Sequence, residues 1–172
     1  DESRSIGYAE TISFPQSHDE VIHLVNKLGE NNTPITIQGS RTGLAAGSVP
    51  FGGHVMNLSK MDKILSMRRD SYGYFYVTVQ PGLVLSQLKD NIRNKKFNIN
   101  DWDGDSIEIY RKFIQSEEVF FSPDPTETSA SIGGMVACNA SGARSYLYGP
   151  TRKYVEGLKI VLANGDSITL KR

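Results

Sequence analysis

Two segments of the chain place apolar residues at helical spacing. These positions are Val21, Leu24, Val25 and Leu28 in the first segment and Val84, Leu85, Leu88 and Ile92 in the second. Residues three and four apart lie on one face of an α-helix, so each segment predicts a helix with one buried stripe. Ser17 followed by Glu20 is the capping-box pattern that begins a helix, and Gly29 is expected to end it.

Short runs rich in β-branched and aromatic residues predict strands around these helices. They cover residues 9–14, 34–38, 54–58, 64–67, 74–79, 158–163 and 167–170. A polar turn at residues 68–71 should join the fourth and fifth strands, and Asn164-Gly165 is a two-residue hairpin signal between the last two. Frequent hairpin signals favour an α+β fold over a doubly wound parallel sheet.

The segment between residues 98 and 118 is polar and acidic, with scattered apolar residues. We interpret it as an insertion or surface excursion that is partly helical. Its residues Asp101, Asp103 and Asp105 alternate along the chain, as calcium ligands can. The spacing lacks the glycine and glutamate positions of an EF-hand loop, so we expect a solvated acidic turn and no metal site.

Charge and cysteine content narrow the class of protein. Lysine plus arginine number 19, as do aspartate plus glutamate, so the formal net charge is zero and nothing favours nucleic acid as a partner. No apolar run reaches the roughly 20 residues of a membrane span. The opening residues Asp1 to Arg4 do not resemble a signal peptide. The single Cys138 fits a reducing compartment, so we expect a cytoplasmic location.

A glycine-rich loop directly follows the predicted strand at residues 34–38. It reads Gln38-Gly39-Ser40-Arg41-Thr42-Gly43-Leu44-Ala45-Ala46-Gly47. Glycines let consecutive backbone N–H groups turn towards an anion, and the Thr42 hydroxyl adds a donor, so the loop suits a pyrophosphate. It matches neither the Walker pattern nor Gly-x-Gly-x-x-Gly. A plain connection between two strands is the alternative.

Two later stretches are also rich in glycine and proline. Gln80-Pro81-Gly82 follows a predicted strand and either terminates it or lies against a ligand. A longer small-residue stretch comprises Ser122-Pro123-Asp124-Pro125-Thr126, Ser129-Ala130-Ser131-Ile132-Gly133-Gly134 and Asn139-Ala140-Ser141-Gly142. Its alternating hydroxyls and glycines let a flat ring and a flexible polar chain lie against backbone. The alternative is a segment that is small only for packing.

Taken in order, these stretches resemble the FAD-binding domain of the vanillyl-alcohol-oxidase type (PCMH-type) flavoproteins. The similar branch contains glycolate oxidase, D-lactate dehydrogenase and alkyl-dihydroxyacetonephosphate synthase. The resemblance implies a two-lobed α+β domain that holds FAD between lobes at residues 1–58 and 59–172. The cofactor-binding residues that it implies are Gln38, Gly39, Ser40, Arg41, Thr42, Gly43, Pro81, Gly82, Pro123, Asp124, Pro125, Thr126, Ser129, Gly133, Gly134, Asn139, Ser141 and Gly142. Ser40 and Arg41 stand where the family usually has glycines.

The resemblance also implies a function. A flavin-dependent oxidase or dehydrogenase of this kind takes a hydride equivalent from a small 2-hydroxy acid such as glycolate or D-lactate. The family's later flavin motif and substrate domain are not among these residues. We therefore expect a C-terminal substrate domain or a partner subunit, and an inactive chain without it. The alternatives are the FAD domain of a non-oxidase flavoenzyme, such as an ether-lipid synthase, and a non-enzymatic cofactor-binding or interaction module.

Some side chains of catalytic type have no assigned role. No general base is identifiable, so the catalytic residues stay unassigned. His54 could carry a covalent flavin, but it lies outside the matched stretches and we interpret it as structural. Arg144 and Arg152 could meet an anionic group or simply pair on the surface.

Overall fold

The computed structural model describes residues 3–172 of the chain. Asp1 and Glu2, which belong to the expected first lobe and to the opening segment, lie outside the described residues. The strands are β1 (Thr11–Ser13), β2 (Ile35–Gln38), β3 (His54–Asn57), β4 (Ile64–Arg69), β5 (Phe75–Val79), β6 (Gly157–Val161) and β7 (Ser167–Lys171). The helices are α1 (His18–Gly29), α2 (Leu85–Arg93), α3 (Gly104–Gln115), α4 (Ile132–Ala137) and α5 (Ser145–Tyr148). The α+β class is confirmed.

The first three strands form a parallel sheet in the order β1-β3-β2. His54 of the central strand β3 lies in register between Thr11 of β1 and Ile35 of β2. All four residues of β3 are buried, as expected of a strand with neighbours on both sides. The carboxyl end of β2 leads directly into the glycine-rich loop at residues 39–50. The sheet therefore holds both ends of that loop, since β3 follows it.

Helix α1 begins as the sequence predicted. The Ser17 hydroxyl accepts a hydrogen bond from the backbone N–H of Glu20, at 3.2 Å. The Glu20 carboxylate reaches back to the N–H of Gln16, one residue before the usual partner in a capping box. The helix ends at Gly29, as predicted, but the left-handed residue that turns the chain away is Asn32, with a φ of 51°.

Strands β4 and β5 pair in an antiparallel hairpin. The turn lies two residues later than predicted, because Arg68 and Arg69 belong to β4. Asp70 holds the turn: one carboxylate oxygen accepts from the N–H groups of Tyr72 and Tyr74, at 3.0 and 2.9 Å. The Tyr76 hydroxyl donates to the other oxygen, at 2.9 Å. These hydrogen bonds to the charged form lower the pKa of Asp70.

The segment between residues 98 and 118 is partly helical, as predicted, but the prediction of a surface excursion was wrong. Helix α3 occupies most of it and buries one side against the β4–β5 hairpin. Met67, Phe97, Trp102, Tyr110 and Phe113 form the resulting core cluster. The ring of Phe97 meets those of Tyr110 and Phe113 edge-on, with centroids 5.6 and 5.5 Å apart. The Trp102 indole N–H donates to the carbonyl of Ile64, at 2.8 Å, which fastens the segment to β4.

The acidic residues of this segment have structural partners. Asp103 is the N-cap of α3 and accepts from the N–H of Ser106, at 2.7 Å, which lowers the pKa of its carboxyl. Asp101 pairs with Lys63 at 3.0 Å, on the surface. In residues 3–172, no three His, Cys, Asp or Glu side chains are grouped in a way that could hold a metal ion.

Strands β6 and β7 form the predicted C-terminal hairpin, but its connection is not a two-residue turn. Leu162 and Asp166 close a three-residue loop, since the N–H of Leu162 donates to the carbonyl of Asp166. Gly165 takes the left-handed position of that loop, with a φ of 83°. A Cβ on Gly165 would lie 1.8 Å from the Oδ1 atom of Asn26, so this glycine also lets the hairpin approach α1 closely. Within the described residues, no helix has the length and apolar character needed to cross a membrane.

Candidate functional site

The glycine-rich loop is braced at its base by Gln38. This side chain is 9% exposed, and its amide nitrogen donates to the carbonyl of Ser48, at 2.8 Å. The side-chain amide nitrogen of Asn57 donates to the side-chain oxygen of Gln38, at 3.3 Å. Both ends of the Gln38 amide therefore contact protein groups. Its contribution to any ligand site is to fix the shape of the loop.

The tip of the loop is open. A Cβ on Gly43 or Gly47 would meet no heavy atom within 4 Å. Arg41 and Ala46 adopt left-handed backbone conformations, with φ values of 61° and 57°, which cost non-glycine residues energy. Such strain collects at ligand-binding loops, where the surrounding structure holds it in place. An open loop with reversed backbone fits the pyrophosphate cradle that the sequence suggested.

Gly82 is required by protein packing. A Cβ on Gly82 would lie 2.0 Å from the carbonyl oxygen of Leu58, in a short 3-10 turn (Leu58–Lys60). The N–H of Gly82 donates to the carbonyl of Met61, at 2.7 Å. Its neighbour Pro81 is half-buried. The Pro81 carbonyl accepts a hydrogen bond from the N–H of Gly133, at 2.8 Å.

The three glycine- and proline-rich stretches meet at the start of α4. A Cβ on Gly39 would lie 2.2 Å from the hydroxyl oxygen of Ser131, and one on Gly133 would lie 2.6 Å from the Cβ of Pro81. Ser131 is the N-cap of α4 and accepts from the N–H of Gly134, at 3.3 Å. The first turn of this helix therefore contacts both other stretches, although long segments of chain separate all three.

The turn that follows Pro123 packs against Gly142. A Cβ on Gly142 would lie 2.1 Å from the carbonyl oxygen of Asp124 and 2.8 Å from the hydroxyl of Thr126. Thr126 has a φ of 72°, which is rare for a β-branched residue. The Glu127 carboxylate closes the turn by accepting from the N–H and the hydroxyl of Ser129, at 2.7 and 2.6 Å. These bonds lower the pKa of Glu127.

Asn139 and Asp124 make further contacts within the protein. The Asn139 side-chain oxygen accepts from the N–H of Arg152, at 3.0 Å. The Asp124 carboxylate lies 3.5 Å from the Nζ atom of Lys89 on α2 and 3.3 Å from the Nε atom of Arg144, which precedes α5. Sequence analysis did not single out Lys89, and it included Ser131 in the small-residue stretch without assigning it a role. The cap position before Ile132 is the signal that could have identified Ser131.

The expected cofactor-binding residues divide by exposure. Gln38, Gly82 and Pro123 are buried by the protein itself. The exposed members, which a ligand could contact directly, are Arg41, Gly43, Thr126, Ser129, Gly134, Asn139 and Ser141. The remaining members are half-buried: Gly39, Ser40, Thr42, Pro81, Asp124, Pro125, Gly133 and Gly142.

His54 lies inside the parallel sheet. Its Nδ1 atom is 2.7 Å from the Thr11 hydroxyl, and its Nε2 atom is 2.8 Å from the Ser13 hydroxyl. Both ring nitrogens are thus satisfied by neighbouring strand residues, and burial lowers the pKa of the imidazole. This environment agrees with the interpretation of His54 as a structural residue.

The chain matches a known family of cofactor-binding domains. The sequence pattern that defines the FAD binding domain family matches residues 9–107 and 104–171. The chain belongs to this family. It is similar to the D-lactate dehydrogenase of Anaerostipes hadrus, with 35% identity over 155 residues, which are 90% of this chain and 27% of that protein. It is also similar to glycolate oxidase subunit GlcD of Bacillus subtilis (strain 168), with 32% identity over 92% of this chain and 29% of that subunit.

Solved structures show the same fold. The 6-hydroxy-D-nicotine oxidase of Arthrobacter nicotinovorans superposes with a TM-score of 0.72, at 17% identity, over 99% of this chain and 32% of that one. An alkyldihydroxyacetonephosphate synthase superposes with a TM-score of 0.66, at 20% identity, over 94% of this chain and 25% of that one. The chain therefore spans less than a third of the length of these proteins and of the two sequence relatives. The expected PCMH-type fold and the relation to FAD-linked oxidoreductases are confirmed.

Proposed function

We propose that this chain holds FAD in a dehydrogenase or oxidase that acts on a small 2-hydroxy acid of the D-lactate or glycolate type. The observation that carries the proposal is the meeting of the three stretches at the start of α4, beside an open glycine loop. The similarity to a D-lactate dehydrogenase and to a glycolate oxidase subunit supports the substrate class. The likeness to alkyldihydroxyacetonephosphate synthase concerns the fold alone, so it does not favour the ether-lipid alternative.

Each stretch has a distinct part in the proposed site. The backbone N–H groups of residues 39–43 would hold the pyrophosphate, and Arg41 and Gly43 are exposed there. The residues of the 123–129 turn, Gly133, Gly134 and residues 139–142 would line the ribityl chain and the flavin ring. When bound, the flavin would accept the hydride equivalent that leaves the substrate carbon. The protein groups fix its position and exclude water from one face.

The division of the domain follows from this assignment. We propose a first lobe at residues 1–58, which contains the parallel sheet and the glycine loop. The second lobe would comprise residues 59–172, with both antiparallel hairpins. FAD would lie between the lobes, and the contact between Gly39 and Ser131 supports a junction at that place.

Further parts of the whole protein are also proposed. Because the chain spans less than a third of its relatives, a substrate-binding domain or partner subunit would supply the opposite wall of the site. A cytoplasmic location is supported by the free, exposed thiol of Cys138, which is compatible with a reducing compartment. Cell fractionation that places the protein in an oxidising compartment would contradict this location.

The flavin itself provides the test. The protein that the whole gene encodes should be purified and denatured. The flavin that it releases should then be separated by chromatography. We expect FAD, and we expect reduction of a dye acceptor when D-lactate or glycolate is added. Recovery of FMN, or of no flavin after incubation with FAD, would contradict the cofactor. Bound FAD without turnover of either acid would contradict the substrate class only.

A further inference from the structure

One carboxylate on the candidate site is shared by two cations. Asp124 Oδ1 lies 3.5 Å from Lys89 Nζ, and Asp124 Oδ2 lies 3.3 Å from Arg144 Nε. In residues 3–172, the recorded ion pairs bring no second carboxylate to either cation. Lys89 and Asp124 are largely sheltered, with side chains 25% and 23% exposed. The group therefore carries one surplus positive charge, and of its two cations Lys89 is the sheltered one while Arg144 is exposed.

The surplus charge is presented by Arg144. Its Nε atom faces Asp124, while its side chain remains 67% exposed. The hydrogen bonds and ion pairs described for residues 3–172 leave both terminal Nη atoms without a protein partner. The two Nη atoms of a guanidinium offer their donors as a fork, and this geometry matches the two oxygens of a carboxylate. The ion pair between Arg144 Nε and Asp124 thus leaves this edge of Arg144 open to solvent.

A concave surface lies beside this edge. It has a volume of about 330 Å³ and is lined by Ala143, Arg144, Tyr146, Leu147 and Tyr148. It is an open depression and not an enclosed cavity, because Arg144, Tyr146 and Leu147 are all exposed. The lining comes from one short segment, so the opposite side is open to a second body. The segment follows Gly142, which packs on the 123–129 turn, so the concave surface adjoins the proposed flavin wall.

We propose that Arg144 binds the carboxylate of an anionic substrate, with Asp124 as the positioning residue that orients its guanidinium. The inference rests on the proposed function for the identity of the substrate, a small 2-hydroxy acid. The anion site itself follows from the shared carboxylate, the free guanidinium edge and the adjoining concave surface. Lys89 neutralises Asp124, so that the charge of Arg144 remains available to the ligand.

The rival explanation is that the ion group only ties α2, the 123–129 turn and the start of α5 together. The two explanations differ in which residue is most sensitive. If the ion group is only a structural tie, Asp124→Asn would weaken anion binding most, because Asp124 is the centre of the group. If Arg144 binds the anion, Arg144→Met weakens anion binding most. Asp124→Asn keeps an oxygen acceptor for Nε and removes a negative charge that opposes the ligand.

The experiment is isothermal titration of oxalate, a small dicarboxylate, into the protein encoded by the whole gene, with FAD content recorded for each sample. We expect Arg144→Met to weaken oxalate binding about 100-fold, as loss of two charge-assisted hydrogen bonds implies. Asp124→Asn should stay within about fivefold of the unmodified protein. Arg93→Met is the matched control, because Arg93 also makes one exposed ion pair, with Asp90 on α2. It should leave oxalate binding unchanged.

Steady-state kinetics with D-lactate provides a second measurement. Arg144→Met should raise KM with little change in flavin content. If it lowers the folded fraction, Arg144→Lys carries the test, since it keeps the charge without the fork and should weaken oxalate binding about tenfold.

Three results would overturn the inference: no oxalate binding by the unmodified protein, binding within threefold in Arg144→Met, or a larger loss in Asp124→Asn than in Arg144→Met. Oxalate binding that depends on Arg144 in a protein that takes up no FAD would preserve the anion site and refute the proposed function.

Discussion

At the scale of single residues, the glycines of the site serve two different purposes. Gly39 and Gly142 lie so close to other protein atoms that a side chain would clash with them. Gly43 faces open space, so nothing within the chain explains the absence of a side chain there. Sequence analysis expected all three to bind the cofactor, Gly39 and Gly43 in the glycine-rich loop and Gly142 in the later small-residue stretch. It could not separate packing glycines from ligand-facing ones, because the contacts that distinguish them come from distant parts of the chain.

Gly43 therefore offers a clean test of the pyrophosphate loop. Gly43→Val should leave the free energy of unfolding within about 0.5 kcal/mol, because its side chain meets no protein atom. It should lower the FAD content, because it blocks close approach of the cofactor to the backbone. The measurements are urea unfolding and the ratio of flavin to protein absorbance. Gly104→Val is the control, since Gly104 also faces open space but begins α3. Full FAD content in Gly43→Val would refute the assignment of the loop.

His54 should make stability depend on pH. Burial lowers its pKa in the folded protein below the ordinary value of 6.5, so the unfolded chain binds more protons between these two values. The contribution of neutral His54 to the free energy of unfolding is complete above about pH 6.5, and it is lost as the pH falls below that value. Unfolding free energies measured from pH 8 to pH 5 should fall less steeply in His54→Asn. Equal slopes in the unmodified protein and in His54→Asn would contradict the prediction.

At the scale of elements, the sequence predicted best those helices and turns whose signals lie within a few residues of each other. Ser17 and Glu20 set the start of α1 through contacts within one turn, so the sequence alone was sufficient there. Helix α3 was missed because its apolar residues are spread through polar sequence. Their partners, Met67 and Phe75, lie on a hairpin far away in the chain. The turn at Gly165 differed from the prediction for a similar reason, since the loop sits against Asn26 of α1.

The core under α3 packs this helix against the β4–β5 hairpin, and we expect it to contribute strongly to stability. Phe113 is 2% exposed and its ring meets Phe75 and Phe97 edge-on, so Phe113→Ala should cost about 3–5 kcal/mol of unfolding free energy. Ile114→Ala, at the next position of the same helix, should cost less than about 1 kcal/mol because Ile114 is 45% exposed. Chemical denaturation of both variants measures the difference. Similar losses would mean that α3 is a peripheral helix after all.

At the scale of the whole molecule, the meeting of the three stretches could not be predicted from spacing. Gly39 and Ser131 are separated by three strands and two α-helices, yet a Cβ on Gly39 would clash with the Ser131 hydroxyl. Only the resemblance to a flavoprotein family placed these stretches at one cofactor. The resemblance included Asp124 but not its ion pairs with Lys89 and Arg144, because these depend on how α2 and the start of α5 are placed.

The 172-residue chain by itself should bind FAD weakly and should not turn over substrate. The stretches described here would cover one side of the flavin ring, and a buried site needs both. At about 25 cal/mol per Å², leaving roughly 100 Å² of ring uncovered lowers affinity by about 2.5 kcal/mol, nearly two orders of magnitude. Fluorescence titration with FAD and a dye-linked assay with D-lactate measure both properties. Turnover comparable to that of a complete flavoenzyme would refute the need for a second wall.

The two antiparallel hairpins have a consequence for how the chain behaves in solution. Within the described residues, each hairpin is a two-stranded sheet, so β4, β5, β6 and β7 each have an edge with no strand beside it. Open edges recruit strands from other molecules and begin aggregation unless something deters them. Exposed cations lie on three of these strands: Arg68 and Arg69 on β4, Lys159 on β6 and Lys171 on β7. We expect repulsion between the cations of two copies to oppose self-association. Concentrated salt weakens it, because charges are screened beyond about 3 Å at 1 M.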